Sequence, residues 1–191
     1  MPPRRFKPLQ IEHLEGEDLR IAEEILKDRK SLDGPFAGML LSPRLGDRLQ
    51  RVGAYIRFES KMPGHLRELA ILLTARKWKA QFEWYAHRIV AEEVGLAPSI
   101  CDDIANGREP RNLSADEAAV RRFALSLLAT GCVDDEVYAD AASRFGEEGV
   151  AELIGTVGYY TTASFYLNVD RFPIPDEAAP LPDLPVKGPA H

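Results

Sequence analysis

Cysteine is nearly absent from this chain: Cys101 and Cys132 are its only two, thirty-one positions apart and in no C-x-x-C. That excludes a disulfide framework and predicts reduced thiols with a structural role. No run of about 18 apolar residues is present, so nothing is long enough to span a bilayer. There is no block of like charge either. A net charge of −6 leaves no basic face for phosphates, which excludes nucleic acid as a partner. The opening "MPPRRFKPLQIEHLEG" lacks the apolar core of a secretory signal, so a cytoplasmic location is expected. Neither a nucleophile-elbow G-x-S-x-G nor a Gly-rich phosphate loop occurs.

What remains is helix. A chain of 191 residues suits one domain with a proper core. In "GEDLRIAEEILKDRKS", Leu19, Ala22, Ile25 and Leu26 recur at spacings of three and four, which predicts an amphipathic helix. "LDGPFAGMLLSP" is too apolar to float in water and is expected to fold over something. Ser42 and Pro43 mark a helix start, and the helix runs through "RLGDRLQRVGAYIRFE". "MPGHLRELAILLTARKW" opens another after Pro63, apolar on nearly every side. "AQFEWYAHRIVAEEVG" follows, ending at Gly95, a natural C′ residue. A short helix after Pro98 is expected, then one capped by Ser114 and Glu117. Two more fill "DDEVYADAASRFG" and "EEGVAELIGTVGYYTTASFYLNV". The layout is an N-terminal arm over 1–14, an all-α domain of about seven helices over 15–175, and a Pro-rich tail over 176–191. That tail is expected to be disordered or laid along a neighbouring subunit.

Three polar residues sit where the pattern does not want them. Glu83 and His87 are four apart on one helix and can touch. Glu68 interrupts "LRELAILLTA", where a bare buried charge costs several kcal/mol, roughly. If the two helices pack antiparallel across "KWKA", Glu68 approaches His87 and a histidine between two carboxylates results. Neighbouring negative charge raises a histidine's pKa and burial raises a carboxylate's, a division that proton-transfer catalysis uses. Arg76, eight residues after Glu68, falls roughly on the same face and could hold an anion. Taken singly, each residue has a plainer role: a local i,i+4 contact, a carboxylate near a helix N-terminus, a structural ion-pair partner.

At these residues the chain resembles the carboxymuconolactone decarboxylase family, which includes the alkylhydroperoxidase D-like proteins. The resemblance lies in "PGHLRELAILLTARKWKAQFEWYAHRIVAEEVGL", with "GPFAGMLLSP" and "GAYIRFES" upstream, and covers about residues 30–170. It implies an all-α, alkylhydroperoxidase D-like bundle that assembles as a homo-oligomer, trimer or hexamer. In the family's redox branch a helix glutamate precedes a Cys-x-x-Cys-x-x-x-His element. Glu68 and His87 match that glutamate and histidine, but the cysteine positions fall on Ala80 and Glu83. A disulfide-cycling peroxidase needs a thiolate and a resolving partner, so this departure removes the support for that activity. The decarboxylase branch, which works without cysteine, metal or organic cofactor, is what the resemblance leaves.

The resulting expectation is a lyase acting on a small anionic, lactone-like substrate. Glu68, Glu83 and His87 are its catalytic residues. Arg57, Arg76 and Phe36 are its substrate-binding candidates, and "GPFAGMLL" is a candidate lid. No cofactor and no metal are expected. Three alternatives stand beside it: a peroxidase of the alkylhydroperoxidase kind, a metal site built from the two glutamates and the histidine, and a non-catalytic oligomeric protein in which the trio only pins two helices together.

Overall fold

The computed structural model describes residues 3–29 and 31–184. Those residues form eight α-helices and no strand. After a 3-10 turn at Ile11–His13 come α1 (Gly16–Asp28), the short α2 (Phe36–Met39) and α3 (Pro43–Ala54). The last runs directly into a π-helical turn, Tyr55–Glu59. Then follow α4 (Gly64–Lys77), α5 (Gln81–Glu93), α6 (Pro98–Ala105), α7 (Ala115–Thr130) and α8 (Asp135–Asp170). None of these helices is long and apolar enough to cross a membrane.

Helix α4 is the axis of the molecule. It packs against α5, α6, α7 and α8, and its residues from Glu68 through Arg76 are all buried. Each fully buried leucine there stabilises the fold by roughly 1.5–3 kcal/mol. Leu69, Leu72 and Leu73 belong to a large cluster with Trp84, Phe123 and Leu153. Ile71 instead joins a second cluster made by Ile21, Ile25, Phe36, Met39 and Tyr160. The apolar "PFAGML" segment thus folds as predicted over the rest of the chain, with Phe36 through Leu40 buried.

Local signals in the sequence are mostly realised. The Ser114–Glu117 capping box forms in both directions. Gly95 takes a left-handed φ of 91°, and the amide of Leu96 donates back to the carbonyl of Ala91 at 2.8 Å, which closes α5. Gly146, at φ 69° and ψ 175°, breaks α8 into the two helical stretches that the sequence separates there. Ser42 is an exception. It occupies the N-cap of α3 and Pro43 follows at N1, but the Ser42 side chain accepts no capping hydrogen bond.

The tail needs correcting over its described part. Residues 176–184 fold back on their own chain. The Gln81 side chain accepts from the Leu181 amide at 2.7 Å and donates to the Leu181 carbonyl at 3.1 Å, and the Leu181 side chain is buried in the large cluster. Arg76 and Lys79 add bonds to the Pro182 carbonyl and to Asp183 in the same strap. The tail beyond residue 184, with His191, lies outside the described residues. At the other end the arm is tied down by Arg4, which donates to Asp170 at 2.6 Å.

Candidate active site

The α4–α5 hairpin sets the site. Chain reversal occurs at Trp78–Ala80, where Lys79 adopts φ 52°. Glu68 lies eleven residues before Lys79 and His87 eight after it. At about 1.5 Å of rise per residue the two sit within about 5 Å of the same height. They meet: His87 Nδ1 is 2.7 Å from Glu68 Oε2. On the other side of the ring, His87 Nε2 is 3.2 Å from Glu83 Oε1, one helical turn back on α5.

All three groups are withdrawn from water, Glu68 at 1% exposed, Glu83 at 5% and His87 at 6%. Burial alone would push the imidazole toward its neutral form. Glu68 foremost, and Glu83 with it, outweigh burial and hold the histidine up at about 9. His87 is therefore held as an imidazolium at neutral pH, donating from Nδ1 to Glu68 and facing Glu83 across the longer ion-pair contact at Nε2. The second oxygen of Glu68 faces the Arg67 guanidinium at 3.8 Å. Tyr160 presents its ring edge-on to His87, with centroids 4.8 Å apart.

His87 and Glu83 open onto a cavity of about 490 Å³ bounded by the end of α1, the start of α2, the π-helical turn, α5 and α8. That volume suits a small organic molecule. Phe36 and Arg57, two of the expected binding residues, line it. Glu68 is not among the lining residues and holds His87 from behind. Arg76 is a correction: it is buried elsewhere, lines a different depression with Leu184, and donates to the Pro182 carbonyl at 2.7 Å. Eight residues along a helix amount to about 12 Å of rise and about 80° of rotation, so Glu68 and Arg76 do not serve one site.

Among the cavity residues that escaped the sequence reading are Arg29, Tyr159 and Tyr160. Burial, reinforced by Glu83, pushes the Tyr159 phenol up to about 12. Burial, Glu68 and Glu83 raise Tyr160 well above the ordinary tyrosine value. Both are thus neutral hydroxyls, able to donate to a ligand but not to act as bases near pH 7. The adjacent tyrosines of α8 were a visible aromatic pair; Arg29 resembled any charged residue at the end of a surface helix.

Neither cysteine lines the cavity. Cys101 is buried on α6, where burial pushes its thiol up to about 11, and Cys132 is exposed beyond α7. Glu68 takes the Nδ1 side of His87, and Nε2 faces Glu83 on the same helix. Among the described residues, no group of three or more His, Cys, Asp or Glu side chains is arranged to hold a metal ion.

No family model and no curated protein match this chain. Among solved structures it is similar to an uncharacterized peroxidase-related protein from Ralstonia eutropha JMP134, described as an alkylhydroperoxidase AhpD core. The two share 14% sequence identity with a TM-score of 0.75, over 93% of this chain and 95% of the other. The chain has the alkylhydroperoxidase D-like fold. At that identity the likeness concerns the fold alone, and the chemistry must be read from the residues. Within the alkylhydroperoxidase D-like frame, this chain places a carboxylate–imidazolium–carboxylate array where α4 and α5 face one another.

Proposed function

We propose that the protein is a cofactor-free lyase of the carboxymuconolactone decarboxylase type, acting on a small carboxylated, lactone-like molecule. The observation that carries this reading is the charged His87, clamped by Glu68 and Glu83 at the wall of a cavity. In the reaction, the bond between the substrate carbon and its carboxylate breaks. CO2 leaves, and the electron pair passes into a dienolate conjugated with the lactone carbonyl. The His87 imidazolium faces the developing negative charge and supplies the proton that completes the new C–H bond. Glu83 orients the ring and helps return a proton to it, while Glu68 keeps it charged between turnovers. One proton is consumed for each CO2 released. A positioned acid of this kind contributes about 10²–10⁴-fold.

Pro35 and Phe36 in the cavity wall suit a cover that keeps water from the enolate. The exposed side chains of Ile154, Phe165 and Val169 on α8 suit contacts in a homo-oligomer. A thiol peroxidase reading finds no cysteine at this cavity.

The test is to incubate the protein with 4-carboxymuconolactone and with a panel of other carboxylated butenolides in D2O. CO2 release is followed together with deuterium at the dienolate carbon that takes the proton, the one next to the lactone carbonyl. The expected result is one deuterium per CO2, with His87→Gln folded but slower by about 100-fold or more. Full turnover by His87→Gln, or no CO2 from any compound, removes the proposal.

A further inference from the structure

Two guanidinium groups share the cavity with His87, and among the described residues neither has a carboxylate within ion-pair distance. Arg29 closes the C-terminal end of α1, and Arg57 is carried inward by the π-helical turn. Both line the cavity. They flank a single ring: the Phe58 centroid is 5.7 Å from the Arg29 guanidinium carbon and 5.1 Å from that of Arg57. Arg29 also lies over Phe36, at 5.2 Å. Among the described residues, no carboxylate comes within 4.0 Å of either group, although Asp28, Asp33 and Glu93 also line the cavity. Nη1 of Arg29 is buried with no hydrogen-bond partner.

An arrangement of this kind is costly when empty. Two like charges face one space, and a buried guanidinium N–H lacks an acceptor. Burial, and then repulsion from Arg57, holds Arg29 below the usual arginine value. The aromatic rings of Phe36 and Phe58 fix the planes of the two groups through cation–π contact, which leaves their forks available to a carboxylate.

We propose that Arg29 and Arg57 form a two-arginine clamp for a carboxylate that the ligand keeps throughout the reaction. This rests on the lyase reading above and adds the ligand's second charged group. Were the leaving carboxylate held by two arginines, its charge would be stabilised before the reaction and released as CO2 forms, which slows the chemical step. The clamped group is therefore the retained one. The substrate then carries at least two carboxylates on a flat, unsaturated body that fits among Phe36, Phe82 and Tyr159. Arg29 is a specificity-determining residue, and the product keeps the anion that it recognises.

The experiment measures binding rather than turnover. Calorimetry or ligand-observed NMR with 2-furoate, a flat ring bearing one carboxylate, is compared with the uncharged 2-furamide. The clamp predicts that 2-furoate binds and that 2-furamide binds at least about tenfold more weakly. Arg29→Gln and Arg57→Gln each weaken 2-furoate by about tenfold or more, Arg29→Lys recovers part of the loss, and rising salt weakens it in the wild type. Lys61→Gln, in an exposed ion pair outside the cavity, keeps 2-furoate affinity within about threefold. Should Arg29→Gln fail to fold, Arg29→Lys and the salt series carry the test. Equal binding of furoate and furamide, or furoate affinity unmoved by the arginine substitutions, overturns the clamp and leaves the lyase reading in place. Intact furoate binding without CO2 release from any carboxylated butenolide has the opposite meaning.

Discussion

His87 and Glu68, nineteen residues apart on consecutive helices, approach to 2.7 Å through Nδ1 and Oε2 inside the core. A contact this deep is not explained by stability alone. A well-packed apolar pair of similar volume is often as stable as a buried ion pair, or more so. The pair is held together by mutual dependence instead: without the other, His87 keeps only the longer contact with Glu83 at 3.2 Å and Glu68 only Arg67 at 3.8 Å.

That dependence is measurable. Glu68→Leu removes the nearer of the two carboxylates that hold the imidazolium and is expected to destabilise the protein by about 3–5 kcal/mol. The combined Glu68→Leu/His87→Leu replacement removes both charges and is expected to cost much less than the sum of the single substitutions. Chemical denaturation of the four proteins gives the coupling. Additive effects would mean that the two side chains do not interact as the distance indicates.

The same pair makes stability depend on pH. In the unfolded chain a histidine titrates near 6.5, whereas folded His87 is held at about 9. Below 6.5 the ring is charged in both states and its contribution is fully present. As pH rises toward 9 the unfolded chain has lost the proton that the folded one retains, and stability declines, with the contribution gone above the folded value. Denaturation free energies from pH 6 to 10 are expected to fall across this window for the wild type. His87→Gln should lack that component of the slope. An NMR titration of the imidazole that places His87 near 6.5 would contradict the electrostatics described for the site.

Much of this site was legible before the fold was known, for identifiable reasons. Glu68 stood out as a carboxylate in an apolar run, and Glu83 with His87 as a pair at helical spacing. A short junction then leaves two helices little choice but to pack antiparallel. What could not be read was orientation. Phe82, Tyr85, Ala86, Ile89 and Val90 suggest the buried stripe of α5, yet the face turned inward is Glu83, Trp84, His87 and Ala91, and Ile89 is 47% exposed. The hydrogen bond of His87 to Glu68 and its ion pair with Glu83 make a polar line tolerable in the interior, and periodicity cannot see a hydrogen bond to another helix. Arg29 was invisible for a related reason, since its role depends on which elements meet at the end of α1. Leu181 misled in the opposite direction, because a Pro-rich segment hides an anchoring side chain.

The two cysteines are expected to behave differently from a redox pair. Cys101 is fully buried, and burial raises its thiol to about 11, whereas Cys132 is exposed. A thiol reagent at neutral pH should titrate one group in the folded protein and two after denaturation. The double replacement Cys101→Ser/Cys132→Ser should leave turnover unchanged apart from any loss of folded protein. Turnover that disappears with the thiols while the fold persists would return the protein to cysteine chemistry.

Gly53 connects the scaffold to the cavity. It lies on α3, and a Cβ built there would stand 2.2 Å from the Tyr159 hydroxyl oxygen and 2.5 Å from the ring carbon that bears it. Tyr159 has little room to yield: it is buried, it packs edge-on against Tyr160 with centroids 5.2 Å apart, and Tyr160 in turn contacts His87. Gly53→Ala should therefore overpack this region at a cost of about 1–3 kcal/mol. Any shift of Tyr159 would be passed toward the imidazole or into the cavity, so lower affinity for the ligand should accompany the loss of stability. Gly155→Ala on α8, where a Cβ meets no atom within 4 Å, is the control and should leave ligand affinity unchanged. If Gly53→Ala proves as harmless as Gly155→Ala in both denaturation and ligand titration, the close approach of α3 to Tyr159 does not shape the cavity.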